Sequence, residues 1–163
     1  RALASLQQQQ VVADRVLVTP VGFNSLLWRV VVMTPDGYLE GERSVVADHG
    51  PMRFRAVPAD VALLDAAKTV PAGARLLWFN HGFARVDVVD GRLRLTDLRM
   101  GSEPDYTFRF DIAERGEQAV NTAQGPKPVV LWRAITPVQL EWPWDAADGL
   151  PAMWTRIWRE PDR

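Results

Sequence analysis

The stretch "FARVDVVDGRLRLTDLRMG", residues 83–101, constrains the fold more than any other part of the chain. Asp90-Gly91 lies between two arms of alternating apolar and polar residues. Such a dipeptide marks a two-residue hairpin loop, because both of its positions tolerate positive φ. A loop this short pins the register. With Val89 facing Arg92, counting outward pairs Val88 with Leu93, Val86 with Leu95 and Ala84 with Asp97 on one face. The other face pairs Asp87 with Arg94 and Arg85 with Thr96. Asp87 and Arg94 read as a cross-strand ion pair on the wet face, worth roughly 0.2–1 kcal/mol. Asp97 falls on the dry face, and Arg99 follows two residues later on the same side. Burying either charge alone is costly, so each needs an answering group.

The rest of the chain reads as strands and turns around one helix. "RVLVT" is a strand ended by Pro20. "LLWRVVVMT" and "YLEGERSVVA" are partners joined by a turn in which Pro35 fixes φ and Gly37 takes positive φ. "MRFRAV" is a further strand. "PADVALLDAAKTV" is the clearest helix, with Asp60 near its start, Val61, Leu64 and Ala67 as its buried stripe, and "PAG" as its stop. "ARLLWFNHG" reads as a strand with a bend at Gly82. "DYTFRFDI" alternates, with Tyr106, Phe108, Phe110 and Ile112 inward and Asp105, Thr107, Arg109 and Asp111 outward. Residues 113–128 read as a flexible polar loop, "PVVLWRAI" as a last long strand, and the segment from Pro151 as a short helix carrying Met153, Trp154, Ile157 and Trp158. The expected class is α+β: a curved, mainly antiparallel sheet with one mid-chain helix and a short C-terminal helix. A β-rich half-barrel is the alternative.

Composition narrows the chemistry. The 163 residues suffice for one domain with a sizeable core, 47% of them are apolar, and the net charge of −1 offers no basic surface for nucleic acid. The absence of cysteine removes thiol catalysis and thiolate metal sites. No run approaches the ~20 apolar residues that cross a bilayer. His49 and His81 are the only histidines, and each reads better as a structural residue than as a ligand, so no metal site is assigned. Ser25, Ser44 and Ser102 lack a nucleophile elbow, and Glu103 and Asp105 flank Pro104 in what reads as a solvated turn. What remains is a candidate polar cluster of Arg29, His81, Asp97, Arg99 and Tyr106. In it Asp97 partners Arg29 or Arg99, and Trp28, Trp78, Phe79 and Phe83 wall the group. A structural cluster is the leading reading and a ligand pocket the second. Trp142, Trp144, Trp154 and Trp158 read either as a lid over the sheet or as an interfacial belt touching lipid.

Three ordered stretches, "RVLVTPVGFNSLLWRVVVMTPDGYLEGERSV", "LLWFNHGFARV" and "DLRMGSEPDYTFRF", carry a family resemblance. They resemble the C-terminal soluble region of bacterial inner-membrane proteins described as predicted metal-dependent hydrolases. The likeness runs from about Arg15 to Phe110. In that family the His- and Asp-bearing metal motifs lie in an N-terminal transmembrane part, and no position here matches them. The resemblance implies a parent in the bacterial inner membrane, on a side that the charge pattern leaves open. Residues 1–14 would then be a juxtamembrane helix or linker and 15–163 a single soluble domain. The opening "RALASLQQQQVVADR", without an initiator Met, agrees with a fragment. No cofactor is expected in this fragment, and a divalent metal belongs to the missing N-terminal part. The expected role is that of an accessory domain, non-catalytic alone, that binds a ligand, a partner or the membrane surface. Its partners would be the transmembrane region of its own chain, the membrane surface, or a second copy. Two alternatives stand beside this: a self-contained hydrolase site around His81, Asp97 and Arg99, and a dimerisation module.

Overall fold

The computed structural model describes residues 2–22, 24–122, 125–142 and 145–161. The α+β class holds, with the strands divided between two four-stranded antiparallel sheets, neither of which closes into a barrel among the described residues. The chain forms two compact units, Arg1–Ala59 with Pro143–Arg163, and Asp60–Trp142. No described helix is long and apolar enough to cross a membrane.

The first unit holds α1 (Ala2–Gln8), β1 (Arg15–Pro20), β2 (Leu27–Thr34), β3 (Gly37–Ser44), β4 (Arg55–Pro58) and the C-terminal helix, called αC until its turn in the chain (Ala146–Trp158). The strands lie in sequence order. The turn between β2 and β3 has the expected form: Thr34 faces Gly37, and the Asp36 carbonyl accepts the Ala59 N–H at 3.0 Å. Gly37 sits at φ +149°, where a Cβ would meet the Val57 carbonyl, so the close approach of β4 requires glycine. Leu6, Val30, Val32 and Met52 form a core on one face, with Val16, Leu39 and Phe54 packed against it. The C-terminal helix begins at Ala146, capped by the Asp145 carboxylate on the Ala147 N–H at 2.8 Å, and not at Pro151. Pro151 stands inside it. The Asp145 cap sets the start, and Pro151, in the second turn, leaves the Ala147 carbonyl without its helical donor.

The second unit holds α2 (Val61–Thr69), α3 (Pro71–Phe79), β5 (Ala84–Val89), β6 (Arg92–Asp97), β7 (Phe108–Thr122) and β8 (Gly125–Gln139), which makes the C-terminal helix α4. Asp60, expected near the start of α2, is its N-cap and accepts the Ala62 N–H at 2.9 Å. The segment "ARLLWF" lies in helix α3, not in a strand, so the mid-chain helix is a pair. Pro71 stops α2 and opens α3, and Gly73, Leu76 and Leu77 recur at helical spacing toward the sheet. An apolar run this short does not declare its period. Ala67, Val70, Val86, Leu93, Leu95 and Ile112 make the core between helices and sheet. Val61 is half exposed and outside the expected stripe.

The β5–β6 register matches the count from Asp90-Gly91 at every pair from Ala84↔Asp97 to Val89↔Arg92. The expected ion pair between Asp87 and Arg94 does not form. Asp87 bonds Arg85 at 2.7 Å, and Arg94 grips Asp111 of the third strand at 2.8 and 3.3 Å. Asp111 is buried, although its place in the alternation put it outward. Of the segment expected as a loop, 113–128, the described residues 113–122 and 125–128 belong to the arms of a long hairpin in which β7 and β8 pair from Phe110↔Gln139 to Thr122↔Gly125. Glu117, Gln118, Val129 and Val130 are all exposed on it, so at these positions neither face is dry and the alternation that announces a strand is missing.

Candidate functional site

The candidate cluster is best built from Asp97, the last residue of β6. The residue is 5% exposed, and both oxygens of its carboxylate are bonded. Oδ1 accepts the Arg99 backbone N–H and Nε, both at 3.0 Å, and Oδ2 accepts Arg99 Nη2 at 2.8 Å. The same guanidinium donates through Nη1 to the Phe79 carbonyl at 3.1 Å, with its Cζ 4.6 Å from the centroid of the Phe79 ring. Phe79 ends α3, and a helix's last carbonyls lack intrahelical partners and favour a cation. Arg99 therefore answers Asp97 and closes α3 with one planar group, a task suited to a forked donor. The hydrogen bond that Arg99 donates to Asp97 raises the Arg99 pKa above its usual value, against the opposing effect of burial.

Of the two partners expected for Asp97, Arg99 takes it. Arg29 lies in the first unit, 2% exposed on β2, where its Nε donates to Glu40 of β3. Tyr106 is fully buried. His81 sits at φ +56° in the turn after α3, with its backbone N–H on the Trp78 carbonyl and its side chain exposed. Its ring forms no bond with Asp97, Arg99 or Tyr106. The aromatic wall is only partly present: Phe79 stacks on Arg99 and Phe83 is buried, while Trp78 is 77% exposed and Trp28 is in the first unit. Of the other candidates, Glu103 bonds Arg85 at 2.5 Å. The Ser44 hydroxyl donates to the Ile157 carbonyl at 2.5 Å and accepts the Val46 and Ala47 N–H groups.

A second charged group, missed in the sequence, lies in the first unit. Arg156 of α4 grips Asp48 at 2.8 and 2.5 Å and donates to the Glu42 carbonyl at 3.1 Å. Burial pushes the Asp48 pKa up, but the hydrogen bonds from Arg156 and the Ser44 N–H outweigh it and leave the carboxyl below its usual value. Burial dominates at Glu42 and raises its pKa, with Arg156 opposing. The signal was available: Arg156 adjoins Ile157 on the inward flank of a helix whose outward flank carries Trp154 and Trp158.

That outward flank is apolar and exposed. Leu150, Trp154 and Trp158 follow at four-residue spacing and are 49%, 61% and 54% exposed, whereas Ile157 is 1% exposed. The two indoles meet edge to face at 5.8 Å. Trp144, expected with them, lies outside the described residues. The second unit also carries an open apolar groove of about 580 Å³ between α3 and β8, lined by Pro71, Leu76, Phe110, Ile135 and Pro137 with Arg75 as its one charge.

Comparison with protein-family models, curated proteins and solved structures finds no match to this chain. Among the described residues, no group of three or more His, Cys, Asp or Glu is placed to hold a metal ion.

Proposed function

We propose that the chain is an accessory domain of a membrane-bound hydrolase, non-catalytic by itself, and that it rests on the membrane surface through α4. The resemblance over about Arg15 to Phe110 supports the parentage, and any divalent metal would belong to the part of the parent that carries the family's motifs. The observation that carries the surface role is the row Leu150, Trp154 and Trp158 on the outward flank of α4. Indole rings favour the headgroup layer, where an apolar body and a polar N–H are both accommodated. Two further facts favour binding over catalysis. Asp97 and Arg99 answer each other, and His81 engages neither.

The test is co-sedimentation of the chain with phosphatidylcholine vesicles, with and without phosphatidylglycerol. Binding is expected in both, because a chain of net charge −1 gains nothing from an anionic surface. Trp154→Ala with Trp158→Ala should weaken it about tenfold, given the large area each indole buries. Unchanged partitioning of that double variant overturns the surface role. One equivalent of zinc or manganese retained by chelator-washed protein overturns the non-catalytic assignment.

A further inference from the structure

The face of the second sheet turned away from α2 and α3 carries charge in rows. Antiparallel register puts Arg85, Thr96 and Arg109 side by side across β5, β6 and β7, and Asp87, Arg94 and Asp111 beside them in the next row. Most of these charges are answered. Arg85 bonds Asp87 at 2.7 Å and Glu103 at 2.5 Å, and Asp111 takes Arg94 at 2.8 Å and Arg92 at 3.6 Å. Three guanidiniums thus stand against three carboxylates, and Arg109 is the fourth guanidinium. Among the described residues it has no carboxylate partner. Its Nη2 donates to the Glu141 carbonyl at 2.6 Å, which satisfies a hydrogen but not the charge. Its Nε is buried and unbonded. The hydroxyl of Thr96, directly across the strand pair and 1% exposed, is also buried and unbonded.

Two unsatisfied polar groups on adjacent positions of one sheet face are unusual, since buried polar atoms almost always find partners. A water would satisfy the hydrogens and leave the surplus positive charge. An anion satisfies both. We infer that Thr96 and Arg109 hold a small carboxylate anion, one oxygen accepting from Arg109 Nε and the other from the Thr96 hydroxyl. The planar guanidinium suits a carboxylate, and a single negative charge matches the single surplus cation. Both atoms are shielded from water, so entry of the anion requires the half-buried Arg109 side chain to shift aside. The site is independent of any membrane attachment, and nothing in its chemistry requires turnover.

The experiment is calorimetric titration of the full chain with sodium acetate against sodium chloride at equal ionic strength, at neutral pH. A saturable one-to-one acetate isotherm is expected. Thr96→Val removes the hydroxyl without changing the shape, and Arg109→Gln removes the charge and the Nε donor. Each should weaken acetate about ten- to a hundredfold, the range that follows from losing one charge-assisted hydrogen bond. Far-UV circular dichroism checks that both variants fold, and if Arg109→Gln does not, the isosteric Thr96→Val decides alone. Heat no different from that of chloride means that water fills the gap, and overturns the assignment. So does an acetate affinity that both variants retain. Inorganic phosphate is the second probe, and phosphate binding tighter than acetate would overturn the carboxylate class.

Discussion

Breaking the Asp97–Arg99 pair should cost more from one side than from the other. Arg99→Leu leaves Asp97, whose side chain is 7% exposed, with no guanidinium and with only the Arg99 backbone N–H still bonding it. It also removes the donor to the Phe79 carbonyl and the cation over the Phe79 ring. Leaving a buried charge unanswered costs about 3–5 kcal/mol. Asp97→Asn keeps the volume and one acceptor. Arg99, 27% exposed, can turn toward water and keep its bond to Phe79. The loss is then one charge-assisted interaction, about 1.5–3 kcal/mol. For a chain of this length each kcal/mol moves Tm by about 2–4 °C. Urea unfolding followed by near-UV circular dichroism should rank wild type above Asp97→Asn, and that above Arg99→Leu by about 1–2 kcal/mol. The double variant should fall short of the sum of the singles, because each single already loses the shared interaction. Equal costs for the two singles, or full additivity, would refute the claim that Asp97 depends on Arg99 for its charge balance.

Gly73→Ala should destabilise the second unit. Its Cβ would collide with the Ala67 carbonyl and lie 3.0 Å from Ile112 Cδ1, so an overpacking cost of about 1–3 kcal/mol exceeds the helix-propensity gain of about 1 kcal/mol. Thermal unfolding measures the difference. Asp48 has a folded pKa below its ordinary value of 3.8, so its stabilisation is complete above that pH and is lost as the pH falls through the folded value. The Tm gap between wild type and Asp48→Asn should therefore close on acidification below pH about 4. Glu42 runs the other way: its folded pKa lies above 4.5, so its ionisation lowers stability as the pH rises through that folded value. Glu42→Gln should raise Tm at neutral pH and leave it unchanged well below pH about 4. Ser44→Ala strips three hydrogen bonds from a fully buried hydroxyl, including the one that ties β3 to the last turn of α4. A loss of about 1–3 kcal/mol in urea unfolding is expected.

What the sequence disclosed, and what it withheld, divides by how far apart in the chain the deciding residues lie. The Asp90-Gly91 loop carries its register in its own chemistry, and six pairs follow from it by counting. The inward place of Asp97 was legible for that reason, and Arg99, two residues on, was within local reach. The same count from the turn at Pro35-Asp36 puts Arg29 opposite Glu42 and diagonal to Glu40, so the partner of Arg29 was available to the same reasoning. Arg94 is different. Counting puts Asp87 opposite it, and the register is right, yet the ion pair goes to Asp111, seventeen residues further along. That choice depends on a third strand whose register shifts between Leu93 and Arg94, with Ile112 as the extra residue packed into the core. No local turn specifies such a shift. Before that shift the third strand already sets a buried carboxylate opposite Arg94, in the same register as Asp97↔Phe108, and a bidentate bond there outcompetes a single contact with the more exposed Asp87. The same third strand brings Arg109 beside Thr96. A surplus charge at that position is therefore a product of tertiary pairing, which is why a face that reads in sequence as ordinary outward polar residues becomes, once the sheet is assembled, the place where an anion is needed.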